Sequence, residues 1–401
     1  MVRRGSFIGG QDNLSVPDAP TIGAATAASG QVSVAFTAPS DVGDDPITGY
    51  GASATDGTNV ISGTGSSSPI TISGLTNGTS YTAQVWAIND YGNGPLSAAT
   101  SSFSPVSPVG LYMGGTDAGG SPFRDDVAKI TITSTGDATD FGNLSATREA
   151  GQAFSSSTRA IYSGGNNSSN NLVNIIEYFT FASAGDATDF GDATGTVAYG
   201  NGLSNSTRGV YGVLYYDGSR SDVMEYVTIA STGDGTDFGN LSVSRTEGGA
   251  FASTTRGIFS GGSTGSSSNV IDYITIASTG NATDFGDTTA ARYGVTGASN
   301  STRGISAGGY TTGYSNIMDY VTIASTGNAT DFGDLLNSIR YAAGGVANST
   351  RAVFGGGAIS GGAVNVLQYV TIASTGDATD FGDHTQTVRH IVGCSSSHGG
   401  L

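Results

Sequence analysis

The fifteen residues from Tyr320 to Asp334, Tyr-Val-Thr-Ile-Ala-Ser-Thr-Gly-Asn-Ala-Thr-Asp-Phe-Gly-Asp, recur with small changes along most of the chain. Their Asp-Phe-Gly core places phenylalanines at Phe141, Phe190, Phe238, Phe285, Phe332 and Phe381, at intervals of 49, 48, 47, 47 and 49 residues. A fixed period of this length means an array of equal supersecondary units. Each unit is too small to bury its own apolar face and is stable only against its neighbours.

Composition says what kind of unit this is. The 401 residues include 64 glycines, and only 12% are charged. That is too much glycine and too few long side chains for helices, and it suits short strands joined by tight turns. The formal charge is −17, from 15 basic and 32 acidic residues, with Lys129 the single lysine. Such a surface repels phosphate backbones and anionic headgroups, so no nucleic-acid partner is expected. No run of about 18 apolar residues occurs, so no membrane insertion is expected either. The first residues lack the apolar core of a signal peptide, and Cys394, alone, cannot form an intrachain disulfide.

Residues 1–14 read as a polar N-terminal arm, with Arg3 and Arg4 beside Phe7 and Ile8, suited to anchoring on a larger assembly. From 15 to 107 the pattern is β throughout. Gln31–Phe36, Pro69–Ser73 and Tyr81–Ile88 alternate with period two between Gly/Asn/Asp/Pro clusters, as in a small sandwich. The segment resembles a fibronectin type III domain in Pro17-Asp-Ala-Pro20, Val32–Pro39, Pro46-Ile-Thr-Gly-Tyr50, Leu75–Tyr81 and Asn89–Pro95. The resemblance implies that Tyr81 packs at a strand corner with its hydroxyl on nearby backbone. Phe36 stands where the family usually has a core tryptophan, and Trp86 is expected to repack within the same core. Ser101–Gly110 is a Ser/Pro linker.

Residues 108–401 parse into units of four strands. A short strand follows an arginine, as in Arg292–Ala298, and a turn such as Asn300-Ser-Thr-Arg-Gly304 reverses the chain. A second strand ends in Gly-Gly, as in Gly257–Gly262. After a variable loop comes the longest strand, Asn269–Ala277, then an outer strand at Asp284-Phe-Gly286. Both faces of Asn269–Ala277 carry apolar side chains, as a strand sandwiched between neighbouring sheets requires. Four strands per period and six copies predict a six-bladed β-propeller. The same residues resemble the kelch repeat through the Gly-Gly pair, the tyrosines Tyr178, Tyr226, Tyr273, Tyr320 and Tyr369, and the arginines Arg148, Arg245, Arg292, Arg340 and Arg389. The tyrosine position is Lys129 in the first copy, the arginine is missing around Val197–Tyr199, and phenylalanine replaces the kelch tryptophan. The array begins and stops in mid-unit, so the strand after Arg389 is expected to complete the first blade and close the ring. The expected fold is all-β, a fibronectin type III-like sandwich followed by a six-bladed kelch-like propeller closed by the C-terminal strand.

Chemical signatures are sparse. Asp-Phe-Gly binds magnesium in protein kinases, but six copies without the kinase lysine strand or catalytic loop read as structural. The turns Asp137–Asp140, Asp186–Asp189 and Asp377–Asp380 are acidic. They carry no bidentate glutamate, and asparagine replaces the first aspartate at Asn281 and Asn328, so turn capping is the expected role and no metal is assigned. His390, Cys394 and His398 have a spacing that invites comparison with kelch-like copper oxidases, which resemble this array. The second cysteine those enzymes use for an aromatic crosslink is absent, and no cofactor is expected. Six-bladed sialidases are similar in blade number, but the arginines here recur at equivalent places, as structural ones do. No catalytic residue is assigned. Asn205, Asn300 and Asn348 each precede Ser-Thr and match a glycan acceptor, although all fall in the same repeated turn.

The loops after the Gly-Gly strand vary most, in the Tyr/Asn/Ser/Gly composition used by adaptable recognition surfaces. Tyr215, Tyr216, Asp217, Arg220, Tyr310 and Tyr314 are the candidate ligand-binding residues. Arm, spacer and near-identical Gly/Ser/Thr-rich repeats resemble structural proteins of marine bacteriophages. The resemblance implies a non-enzymatic virion protein on the particle surface, in multiple copies, held to other virion proteins by the arm and sandwich. It implies a tail fibre or tail-associated protein whose loops bind a host-surface glycan or protein. The alternatives are a capsid decoration or head fibre without a receptor role, and a glycan-cleaving propeller enzyme.

Overall fold

The computed structural model describes residues 14–401 apart from 118, 213, 342 and 343. The arm assigned to residues 1–14 therefore lies outside the described residues except for Leu14. Regular structure among the described residues is entirely β, and the chain divides into two compact units between Ser107 and Pro108.

The N-terminal unit packs two antiparallel sheets. One has the order Thr21–Ala28, Gln31–Thr37, Ile70–Ser73. The other runs Val60–Gly65, Gly49–Thr55, Thr82–Asn89, Gly92–Asn93. Period two decides what is buried: Val32, Val34 and Phe36 of one sheet meet Tyr50, Ala52, Val85 and Ala87 of the other. Tyr81 is buried, and its hydroxyl accepts a hydrogen bond from the Thr76 N–H at 3.1 Å. Trp86 departs from the expectation of a repacked core. It alternates with buried Val85 and Ala87, so its half-buried indole lies on the opposite face, against Gly51. Strand parity, not apolarity, sets the face, and Phe36 alone fills the core position.

In the second unit each of the larger sheets is built on four antiparallel strands, and two of them carry additional short strands, Tyr215–Tyr216 with Ser219–Arg220 in one and Ala358–Ile359 in the other. One set of four is Gly249–Ala252, Arg256–Ser260, Val270–Thr275 and Thr283–Asp287. The third strand is apolar on both faces because both are covered. Ile274 packs with Leu203, Met224 and Phe238 of the preceding period, and Ile271 with Phe251, Phe285 and Val321. The first sheet takes its fourth strand from far along the chain. Val392–Ser395 pairs antiparallel with Val109–Met113, with Val392 opposite Met113 and Ser395 opposite Gly110.

Two sets of contacts repeat between successive sheets. At one edge a serine hydroxyl both accepts from and donates to the neighbouring backbone: Ser204 on Ser155, Ser299 on Ala252, Ser395 on Ala347. At the other edge the Asp-Phe-Gly strand meets the next turn. The Asn143 N–H donates to Asp186 Oδ1 at 3.0 Å, and Gly185 and Ala187 N–H groups donate to the Phe141 and Asn143 carbonyls at 2.8 Å. The same three bonds join Phe381–Asp383 to Gly136–Ala138, with Asp383 N–H to Asp137 Oδ1 at 2.9 Å.

The glycine of the motif is there for close approach. Gly286 has φ +143°, and a Cβ on it would lie 2.5 Å from the Gly327 carbonyl oxygen. Changing Gly286 to alanine is expected to cost about 1–3 kcal/mol of unfolding free energy, measurable by urea unfolding. An unchanged midpoint would mean that the sheets are not held this closely.

Candidate functional site

The repeated arginines answer a repeated acid. Arg245 donates to Asp272 at 2.7 Å, and Arg148–Glu177 and Arg292–Asp319 make the same ion pair, all with side chains at most 2% exposed. Burial lowers the pKa of each arginine, so each of these guanidiniums depends on its carboxylate. Three periods depart from this rule, because buried Val197, Ile339 and Val388 take the place of the paired arginine and accept the same backbone hydrogen bond as Arg148 and Arg292. Where Val197 replaces the arginine, Glu225 is satisfied by the Tyr211 hydroxyl at 2.5 Å and by Thr194. Where Gln368 replaces the acid, it still accepts from the Leu336 N–H at 2.6 Å but cannot pair with a cation. Arg340 stands one residue past the pairing position, which buried Ile339 fills, and lies among aromatic rings. Its guanidinium carbon lies 3.8 Å from the Tyr341 ring centroid, 5.0 Å from Tyr293 and 5.1 Å from Tyr310.

Next to this arginine position the backbone turns left-handed once per period, at Ala150, Tyr199, Glu247, Gly294, Tyr341 and His390, with φ between 52° and 67°. Only one of the six is glycine, although left-handed backbone disfavours side chains, tyrosine's among them. Backbone bonds link these residues in succession. Ala150 N–H donates to His390 O, Tyr199 to Ala150, Glu247 to Tyr199 and Gly294 to Glu247, at 2.6–2.8 Å. All six line one pocket, together with Asn201.

The rings around this pocket are continuous. Tyr215 lies 5.7 Å from Tyr199, Tyr199 5.7 Å from His390, and His390 4.1 Å from Tyr341. Beyond Arg340 the series continues through Tyr293, Tyr310 and Tyr314, at spacings of 5.5 and 5.7 Å. The polar groups are arranged unevenly. Glu149 accepts from His390 Nδ1 at 2.8 Å and from the Tyr199 hydroxyl at 3.3 Å. Burial raises the Glu149 pKa, but the His390 bond and charge outweigh it and hold the carboxyl below the usual range. Burial pushes the Tyr199 phenol up to about 12. Glu247 differs: burial raises its pKa against the charges of Arg340 and Arg220. Among the described residues its Oε2 is buried with no hydrogen-bond partner, as is His390 Nε2.

The structure puts the sequence-predicted residues in two roles. Tyr215, Tyr310 and Tyr314 belong to the aromatic series, and exposed Arg220 sits within charge range of Glu247. Tyr216 lies against Gly195 with its hydroxyl 2.6 Å from Thr194 Oγ1. Asp217 accepts from the Thr196 N–H at 2.9 Å. The first aspartate or asparagine of the acidic turns uses one Oδ1 to cap a neighbouring N–H, so Asn281 and Asn328 serve as well as Asp186. The Asn300 Oδ1 accepts from the Thr302 and Arg303 N–H groups and its Nδ2 donates to Ser349, the amide a glycan would need. Cys394 is buried, its thiol pKa pushed up to about 12, and His390 and His398 line different pockets.

Sequence reasoning missed Glu149, Tyr199, Glu247, Tyr341 and His390. Apart from Glu149, their signal is a place in the repeat: six equivalent positions read Ala, Tyr, Glu, Gly, Tyr, His inside a frame that otherwise barely changes. The comparison with curated proteins returned no match. Residues 18–103 match the family model for the fibronectin type III domain, so the N-terminal unit carries such a domain.

Proposed function

We propose that residues 108–401 form a six-bladed kelch-like β-propeller closed by the C-terminal strand, and that the chain is a non-enzymatic bacteriophage virion protein. In this reading it is a tail fibre or tail-associated protein, present in multiple copies, with the fibronectin type III domain as spacer. The face bearing the pocket and the loops around it meets the host surface. Ring closure is supported by the pairing of Val392–Ser395 with Val109–Met113 and by the bonds from Asp383 to Asp137. The virion reading rests on the resemblance of the repeats to phage structural proteins.

One observation carries the recognition reading. Five side chains held on left-handed backbone at equivalent positions open on a single pocket, two of them with unpartnered polar atoms. Strain repeated around one opening is backbone spent on displaying side chains, not on packing. Binding is favoured over glycan cleavage because Arg148, Arg245 and Arg292 are each consumed in a buried ion pair.

Particles carrying Tyr215, Tyr310 and Tyr341 all changed to alanine should adsorb to host cells about tenfold less or worse, with an unchanged melting profile of the purified chain. Unimpaired adsorption would overturn the recognition role of this face.

A further inference from the structure

We propose that the pocket between Tyr199, Glu247, Tyr341 and His390 binds a neutral pyranose sugar, its hydroxyls hydrogen-bonded by Glu247 and His390 and its C–H face against tyrosine. This rests on the recognition reading above and names the ligand class.

Three observations select that class. The first is the pairing of unmet demand. Among the described residues, Glu247 Oε2 is a buried acceptor without a donor, and His390 Nε2 is a ring nitrogen without a partner. A buried polar atom left unpaired costs free energy that a ligand hydroxyl restores. Vicinal hydroxyls offer a donor and an acceptor side by side. The second is the tyrosine lining. Tyr199 and Tyr341 both face the pocket with ring centroids within 5.7 Å of the His390 ring, and Gly294 packs against Tyr341 so closely that a Cβ on it would lie 3.0 Å from the Tyr341 nitrogen.

The third is charge. The position over the Tyr341 ring where an ammonium ligand would sit is taken by the Arg340 guanidinium, 3.8 Å from the ring centroid. A second cation would face Arg340 and Arg220, both within charge range of Glu247. An anionic sugar would face Glu149, Glu247 and a chain of formal charge −17. A neutral polyol escapes both penalties, and tyrosine rings at half-buried positions are suited to its apolar face.

Saturation-transfer difference NMR on the full chain tests this with three sets of probes. The neutral set is glucose, galactose, mannose and N-acetylglucosamine, the anionic set glucuronate and N-acetylneuraminate, and the cationic set glucosamine and choline. At least one neutral sugar should receive saturation through its ring protons, while the charged probes do not. Glu247→Gln and Tyr341→Ala should each weaken that sugar about tenfold. The fold should survive the second change, because Ala150 already occupies an equivalent left-handed position. Saturation of charged probes alone, abolished by the same variants, would overturn the neutral class and leave the recognition pocket standing. No transfer to any probe would overturn the pocket as a recognition site, and neutral binding indifferent to both variants would overturn its location.

Discussion

Changing Asp272 to alanine should lower the unfolding free energy by about 3–5 kcal/mol. The carboxylate and its partner Arg245 both have fully buried side chains, and their closest contact is 2.7 Å. Without Asp272 the guanidinium keeps only the Phe259 carbonyl at 3.2 Å and stands as an uncompensated charge in the core. The Ser242 N–H also loses its acceptor at 3.2 Å. The double change Arg245→Met with Asp272→Leu should recover most of the loss, since charge and counter-charge leave together. The array already contains such solutions, with Val197 and Tyr211 around Glu225, and buried Ile339 in place of the arginine where Gln368 replaces the acid. Urea unfolding of the three variants decides the matter. A single Asp272→Ala variant as stable as the parent would contradict the buried ion pair as a structural requirement.

Acid should weaken the second unit through His384. Its side chain is buried against Tyr112, and burial lowers its pKa from 6.5 to about 4 despite the nearby Asp126 carboxylate. The unfolded chain therefore takes up a proton between those two values that the folded chain refuses. Stability is fully present above about pH 6.5 and falls as the pH drops towards 4, by about 3 kcal/mol at most for this one group. His384→Phe should roughly halve that slope, because His398, whose pKa burial also lowers to about 4, keeps its own contribution. A profile of the parent already flat from pH 7 to 4.5, or one that keeps its full slope in the variant, would show that His384 is not buried neutral.

What could be read from the sequence depended on repetition. Asp-Phe-Gly and the Gly-Gly pair announce themselves because each period uses them for the same close approach. The alternation of Val32, Val34 and Phe36 gave the sandwich core its face in the same direct way. Trp86 is the counter-example: family resemblance puts it in the core, but parity with buried Val85 and Ala87 puts it on the opposite face. The pocket was hidden for the opposite reason to the motifs. Tyr199, Glu247, Tyr341 and His390 are equivalent only by position, and left-handed backbone at a tyrosine or glutamate leaves no compositional trace as a glycine would. Nor could the sequence say which arginines were free. That follows from register: Arg245 falls on the buried position facing Asp272, whereas Arg340 falls one residue past it, with Ile339 buried in its place.

Immunogold electron microscopy on purified particles tests the virion reading most directly. Antibody raised against residues 110–401 should label the tail. Gold over the head would replace host attachment with a decoration role, and particles that carry no gold at all would contradict the account.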